Sequence, residues 1–434
     1  MTPLKIAGIG CGERTWIYMQ LISERPEQFQ ILAAADPVPE YRERLEQLSN
    51  TPEFRSFDDA KSFFTAGKIA DLVIIGTQDR YHFAPCKKAL ELGYDIVLEK
   101  PIAPDLNEVL ELEQRARELG RKVMVCHIYR FNPLFNQVKD LLSSGTIGDL
   151  ISMNATEGVE PWHFAHSFVR GHWAKEAQSN PIIMAKTCHD LDLISWMVDS
   201  PVTSVSSFGE LLHFTPPEQP DPQPNALCPS LTSGEITTPY CALRYLHDKK
   251  FPWLAQIFPR AHTATDQEIL DWLKQSPWGR SVYHCDNDVM DHQTVNLRFE
   301  NGVIVNLTMT AFETGRFWEI HGTTGTLKLH FIHDDNPSLE IVIKKHHTNE
   351  ITRIPIDEPP GGYRFHHEGG DVGIIDALYH EMTLPHNHLK SSITNSLQSH
   401  LMAFAAEISR KQARVVQIKE LITPPNKQCL KLKA

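Results

Sequence analysis

Between Leu4 and Val125, short apolar runs alternate with stretches whose apolar positions recur every three to four residues. The runs Leu4–Gly10, Gln30–Ala35, Leu72–Gly76, Asp95–Leu98 and Lys122–Cys126 are rich in Val, Ile, Leu and Ala, as strands covered on both faces are. Between them, Pro39–Leu48, Asp58–Phe64, Phe83–Leu92 and Asp105–Leu119 have helical spacing and polar outer faces. This alternation predicts an α/β domain over residues 1–127, a parallel sheet of the Rossmann dinucleotide-binding type.

After His127 the pattern changes. Helical spacing continues over Pro133–Ser144 and Cys188–Val198, where Leu191, Ile194 and Met197 share a face. Most of the remainder alternates with a period of two, over Ile151–Ala155, Val202–Phe208, Thr294–Phe299, Val303–Thr310, Trp318–His321 and Leu339–Lys344. Asn301-Gly302 between two of these runs predicts a hairpin with a type I′ turn. Residues 128–434 therefore read as an α+β domain with a mainly antiparallel sheet. Prolines at 216, 217, 220, 222, 224, 229 and 239 mark an inserted loop over about 214–240. Gly361-Gly362 and Gly369-Gly370 lead into a helix beginning near Asp371, a last helix spans Ser396–Arg410, and the tail carries Lys427, Lys431 and Lys433.

Composition narrows the partners. The 434 residues include 42 basic and 54 acidic side chains, a formal charge of −12, which argues against nucleic acid or anionic lipid and for a small-molecule partner. Eight cysteines, with no CxxC pair, read as reduced thiols, and no run approaches the roughly 18 apolar residues of a membrane helix. The apolar start at Ile6–Cys11 meets Glu13 and Arg14 too early for a secretory leader, so a cytoplasmic location is expected.

Candidate chemistry gathers after the first strands. Gly8-Ile9-Gly10-Cys11-Gly12-Glu13-Arg14-Thr15 follows the first strand and opens a helix. Gly10 fits the tight turn of a dinucleotide site and Gly12 the close approach of a pyrophosphate, while Thr15 stands where a third glycine is expected. Asp36 closes the second strand, where a carboxylate binds the ribose hydroxyls of NAD and repels the extra phosphate of NADP. Gly76-Thr77-Gln78-Asp79-Arg80-Tyr81-His82 and Glu99-Lys100-Pro101 follow the next strands, at the sheet edge where open α/β proteins bind ligands.

Glu99-Lys100-Pro101 after such a start, then His127-Ile128-Tyr129-Arg130-Phe131-Asn132-Pro133 and Lys186-Thr187-Cys188-His189-Asp190-Leu191-Asp192, resembles the Gfo/Idh/MocA family over nearly the whole chain. The resemblance implies a nicotinamide-binding domain, and a second domain whose large open sheet makes homodimers or homotetramers. It also implies hydride transfer between NAD(P) and a secondary hydroxyl of a sugar, sugar derivative or cyclitol. It places Lys100 at the reacting oxygen and His189 as the general base. The candidate cofactor contacts are Gly10, Gly12, Glu13, Arg14, Asp36, Thr77, Gln78, His82, Glu99, Lys100 and Arg130.

One departure stands out. Many members have an aspartate four residues before the histidine; here that position is Ala185, followed by Lys186 as a candidate catalytic cation. The aromatic segment Trp162–Trp173 supplies Trp162, His163, His166 and Arg170, with Asp190, as candidate substrate contacts. No metal is expected, because Cys228 and Cys241 cannot complete a tetrahedral site alone. His346-His347 and His366-His367 read as surface and loop histidines. Two alternatives remain beside the dehydrogenase: a redox-neutral enzyme that cleaves or epimerises glycosides with bound NAD, and a non-catalytic ligand-binding protein.

Overall fold

The computed structural model describes residues 2–216, 226–247, 251–258, 260–331, 339–356, 367, 369–384 and 389–422. Pro217, Pro220, Pro222, Pro224, Gly361, Gly362, His366, Lys427, Lys431 and Lys433 lie outside these residues.

The first sheet contains β1 (Leu4–Ile9), β2 (Phe29–Ala35), β3 (Arg55–Phe57), β4 (Leu72–Ile75), β5 (Asp95–Leu98) and β6 (Val123–Val125). All pairs are parallel and the order is β3-β2-β1-β4-β5-β6. Five of these strands match the expected runs; β3, only three residues long, has no periodic signal of its own. Helix starts follow local chemistry. Asp105 accepts the N–H groups of Asn107 and Glu108 ahead of Leu106–Glu118, and Asn132 caps Pro133–Ser143 with proline in its first turn.

The second sheet is built from β7 (Leu150–Val159), β8 (Val202–Glu210), β9 (His292–Phe299), β10 (Ile304–Thr310), β11 (Thr314–Gly322), β12 (Gly325–Phe331), β13 (Glu340–Lys345), β14 (Ile351–Pro355) and β15 (Val416–Gln417). Its order is β14-β13-β12-β11-β7-β10-β9-β8-β15, antiparallel except for the β7–β10 pair. One face packs on helices Pro133–Ser143, Cys188–Val198 and Ile393–Gln412 in a common core. The other face carries Asn154, Asn306 and Asn296 side by side on β7, β10 and β9. Edge strand β14 is mostly exposed and carries no hydrophobic signature.

Two local expectations are corrected. The turn at Asn301-Gly302 is not type I′: only Gly302 has positive φ (89°), and its N–H bonds to Phe299 O at 3.1 Å. This is a type I turn closed by a left-handed glycine, which joins β9 to β10 equally well. The stretch after the proline run is also more than a loop. Residues 226–247, 251–258 and 260–283 carry short helices around a core of Cys228, Cys241, Tyr245, Leu254, Leu273 and Trp278.

After β14 the chain returns to the first domain. Helix Gly370–Thr383 places Ile374, Ile375 and Leu378 in the core beneath β1, β4 and β6. Lys122, buried at the start of β6, donates to the carbonyls of Glu381 and Met382 at 3.0 and 2.7 Å and also to that of Leu384. An ammonium on three carbonyls closes the helix where its dipole favours a cation.

Candidate active site

The carboxyl ends of β1, β4 and β5 meet at one place. Gly10 has φ 74°, and a Cβ there would fall 2.5 Å from Thr77 N, so this turn admits only glycine. At Gly12 a Cβ would meet nothing within 4 Å. Gly12 also precedes helix Glu13–Ser23, whose first N–H groups have no intrahelical acceptor. An open backbone cradle at a helix N-terminus fits a pyrophosphate. Thr15 changes how the helix packs, not whether it packs. Its Oγ1 donates to Gly10 O at 2.6 Å and lies 2.2 Å from where a Cβ on Gly76 would stand. The missing third glycine is thus supplied across the sheet by Gly76.

Asp36 is buried, accepting Cys11 N–H on Oδ2 at 2.7 Å and Val38 N–H on Oδ1 at 2.8 Å. These bonds fix the carboxylate at the end of β2. Thr77 presents a buried hydroxyl without a hydrogen-bond partner, and Gln78 is exposed beside it.

Lys100 follows β5 through a cis peptide to Pro101, and its Nζ donates to Ala185 O at 2.8 Å. The backbone carbonyl at 185 therefore orients the lysine where an aspartate side chain was the family expectation. His189 lies close by, 3% exposed, with Nδ1 lacking a hydrogen-bond partner. Burial and the neighbouring Lys100, His367, His127 and Arg316 hold its pKa well below the ordinary histidine range, so the ring is neutral. His127, 1% exposed, is depressed by burial and by Arg130 and Lys100.

Lys186 sits on a buried ionic cluster. Its Nζ is 3.5 Å from Glu157 Oε1; Glu157 Oε2 is 3.0 Å from Arg316 Nη2; Arg316 Nε is 2.7 Å from Asp190 Oδ1. Arg316 also donates to Tyr129 Oη at 3.0 Å and packs on that ring. Burial lowers the pKa of Lys186, opposed by Glu157, whereas burial and Glu157 raise Asp190 to about 6 against the pull of Arg316. Two cations and two carboxyl groups balance in a space where an unpaired charge is costly.

Several candidate contacts are bonded within the fold. Arg14 pairs with Asp371 and, at 3.4 Å, with Glu99, whose Oε1 also accepts Tyr18 Oη at 2.6 Å. The His82 ring bridges Pro101 O and Thr77 O at 2.7 and 2.9 Å, joining the loops after β4 and β5. Arg130 holds Asp192 through Nε and Nη2 at 2.6 and 2.8 Å. Asp190 is fully buried on Arg316.

The aromatic segment is also corrected. It forms helical turns over Pro161–Phe164 and Ala165–Arg170 that pack against the insertion. Trp162 meets Tyr245, His163 meets Trp253, His166 Nδ1 is 2.6 Å from Tyr245 Oη, and Arg170 donates to Arg280 O and Tyr240 O at 2.7 and 2.6 Å. These side chains tie the insertion down, and burial lowers the pKa of His166 to about 3. Glu13 is exposed in the first helical turn.

Glu157, Arg316, Asp371 and His367 are absent from the sequence-based set. The first two had a signal. Glu157 shares the inward phase of Met153, Ala155 and Val159, and Arg316 that of Trp318 and Ile320; they face each other across β7 and β11. Opposite charges on the apolar phase of neighbouring strands mark a buried pair.

Comparison with known proteins agrees. Residues 4–127 match the model described as "Oxidoreductase family, NAD-binding Rossmann fold", and residues 139–360 that described as "Oxidoreductase family, C-terminal alpha/beta domain". The protein YteT of Bacillus subtilis (strain 168) is 27% identical over 359 residues, 78% of each chain. An inositol 2-dehydrogenase of Corynebacterium glutamicum (strain R) is 24% identical over 203 residues, 46% of this chain and 56% of that one. An Agrobacterium radiobacter oxidoreductase, solved with NAD+, L-tartaric acid and magnesium, superposes with a TM-score of 0.68 at 17% identity, covering 97% of this chain and 100% of that one. The chain is an NAD-binding oxidoreductase of the Gfo/Idh/MocA family.

Proposed function

We propose that the protein is a dehydrogenase that transfers hydride between NAD and a secondary hydroxyl of a sugar-like or cyclitol substrate. The observation that carries this reading is Lys100, fixed by Ala185 O beside the buried, neutral His189. The N-terminal turn of Glu13–Ser23 holds the pyrophosphate, Asp36 the ribose, and Thr77 with Gln78 the loop facing the nicotinamide. Bound NAD supplies the hydride acceptor. Lys100 donates to the substrate oxygen and holds its developing charge, while His189, neutral and so able to accept, takes the hydroxyl proton. The choice of NAD over NADP rests on the fixed Asp36 carboxylate, which repels a 2′-phosphate.

The relatives named as inositol dehydrogenases make cyclitols the first substrates to try. Fluorescence titration with NADH and NADPH, followed by turnover with inositols, aldoses and uronic acids, tests the reading. Binding of neither cofactor at millimolar concentration would refute it. The open sheet face, with Ile151 and Ile304 exposed beside the asparagine row, is the surface we assign to homo-oligomerisation. Sedimentation as a monomer at micromolar concentration contradicts that assignment.

A further inference from the structure

His367 lies far along the chain from every motif described above, yet it stands inside the site. Its ring centroid is 5.9 Å from that of His189 and 5.3 Å from that of Tyr129. Its Nδ1 is 3.1 Å from Asp371 Oδ2. Asp371 is fully buried; burial opposes its ionisation, but Arg14 and His367 outweigh it and hold the carboxyl well below the usual carboxylate range. A carboxylate on Nδ1 fixes the tautomer with the lone pair on Nε2 and stabilises the imidazolium once a proton arrives.

Three further observations concern this ring. His367 has φ 71°, a left-handed conformation that a histidine adopts at a cost of order 1 kcal/mol. Its carbonyl is held in that conformation by Gly370 N–H at 2.9 Å and Asn132 Nδ2 at 3.2 Å. The counter-charge is itself held in place: Asp371 also pairs with Arg14, which in turn meets Glu99. Finally, the His367 side chain is 19% exposed, against 3% for His189 and 1% for His127.

From this arrangement we infer that His367, oriented by Asp371, is the proton exit of the site: it receives the substrate's hydroxyl proton from His189 and releases it to solvent. The inference rests on the dehydrogenase reading above. The balance is simple. The substrate O–H breaks and its proton goes to one ring nitrogen of His189. The opposite nitrogen of His189 releases its own proton, directly or through one water, to His367 Nε2. Bulk water takes it from there, while the carbinol hydride goes to the nicotinamide. Because His189 is buried beside Lys100 and Arg316, a proton does not rest on it, and a neighbouring ring with a fixed counter-charge gives that proton a path out. The same Arg14 that fixes Asp371 also touches Glu99, whose Oε2 accepts Lys100 N–H at 3.1 Å, so one network sets both the lysine and the relay.

The test is His367→Gly, which suits φ 71° and opens room for a free ring. The variant should bind NADH as the native protein does, lose about 10²- to 10⁴-fold in polyol oxidation, and recover at least about tenfold on addition of imidazole. Retention of activity within about threefold, or a loss that imidazole does not rescue, overturns the relay. A second measurement needs no turnover. ¹⁵N-labelled protein should show a hydrogen-bonded His367 Nδ1 proton that disappears in Asp371→Asn, and its absence from the native protein also overturns the relay. Failure of the native protein to bind cofactor refutes the dehydrogenase reading instead, so the two failures are distinct.

Discussion

The two ends of the site are built by different means. At the end assigned to the nucleotide the groups are mostly backbone, a glycine turn and an open helix N-terminus, joined by one side-chain carboxylate that two N–H groups hold. At the end we assign to the reaction, Lys100 and His189 come from separate elements, beside a buried ionic cluster of Lys186, Glu157, Arg316 and Asp190. The first arrangement is local and keeps space for a ligand. The second is distant in sequence, tightly packed, and bound up with the stability of its domain.

Four substitutions or conditions can break this contrast. The largest effect is expected from Lys100→Met, which removes the proposed donor to the substrate oxygen. Turnover should fall by about 10²- to 10⁴-fold with cofactor affinity nearly unchanged, as steady-state kinetics and NADH titration will show.

Arg316→Met should act on stability first. It leaves Glu157 and Asp190 buried without their guanidinium and should cost about 3–5 kcal/mol in denaturant unfolding. A variant as stable as the native protein would mean that the cluster does not hold the domain.

Acid should act on the second domain through its buried neutral histidines. The pKa of His166 is lowered to about 3 and that of His400, which accepts Ile102 N–H at 2.9 Å, to about 4, in both cases chiefly by burial. Their unfolded values are near 6.5, so the unfolded chain binds more protons below that pH. Stability should therefore be full above pH 6.5 and fall towards pH 4, by up to about 1.4 kcal/mol per unit for each ring. His166→Phe should flatten that fall, and an unaltered pH–stability curve would contradict it.

The smallest change is expected from Gly12→Ser. At φ −64° serine is unstrained and caps a helix well, so unfolding should shift by less than about 0.5 kcal/mol. NADH affinity should drop about tenfold or more, because the side chain enters the cradle. A destabilised variant with normal affinity would reverse the assignment of this turn.

How far each end was legible follows from its construction. Gly10, Gly12 and Asp36 lie in a contiguous motif or at a predictable strand end, and five of the six strands beneath them announce themselves by apolar runs. Lys100 and His189 are assigned by resemblance, yet the bond from Lys100 to Ala185 O is invisible in the sequence, since any residue supplies a carbonyl. Arg170 and His166 misled because clustered aromatic and ionisable groups suggest a binding loop, whereas here they anchor an insertion. His367 was hidden for a different reason. A histidine among glycines at the end of a long irregular stretch carries no periodicity, and its meaning depends on Asp371 one helical turn later and on Tyr129 and His189 from elsewhere.

The return of helix Gly370–Thr383 to the first domain has a consequence for biosynthesis. Ile374, Ile375 and Leu378 complete a core whose other members, among them Ile6, Leu72 and Met124, belong to the first third of the chain. On the ribosome that surface emerges early and waits uncovered while β7 to β14 are made. The nucleotide-binding half therefore cannot finish folding first, as N-terminal domains usually do, and its exposed apolar flank is a point at which a nascent chain is open to aggregation or to chaperone capture.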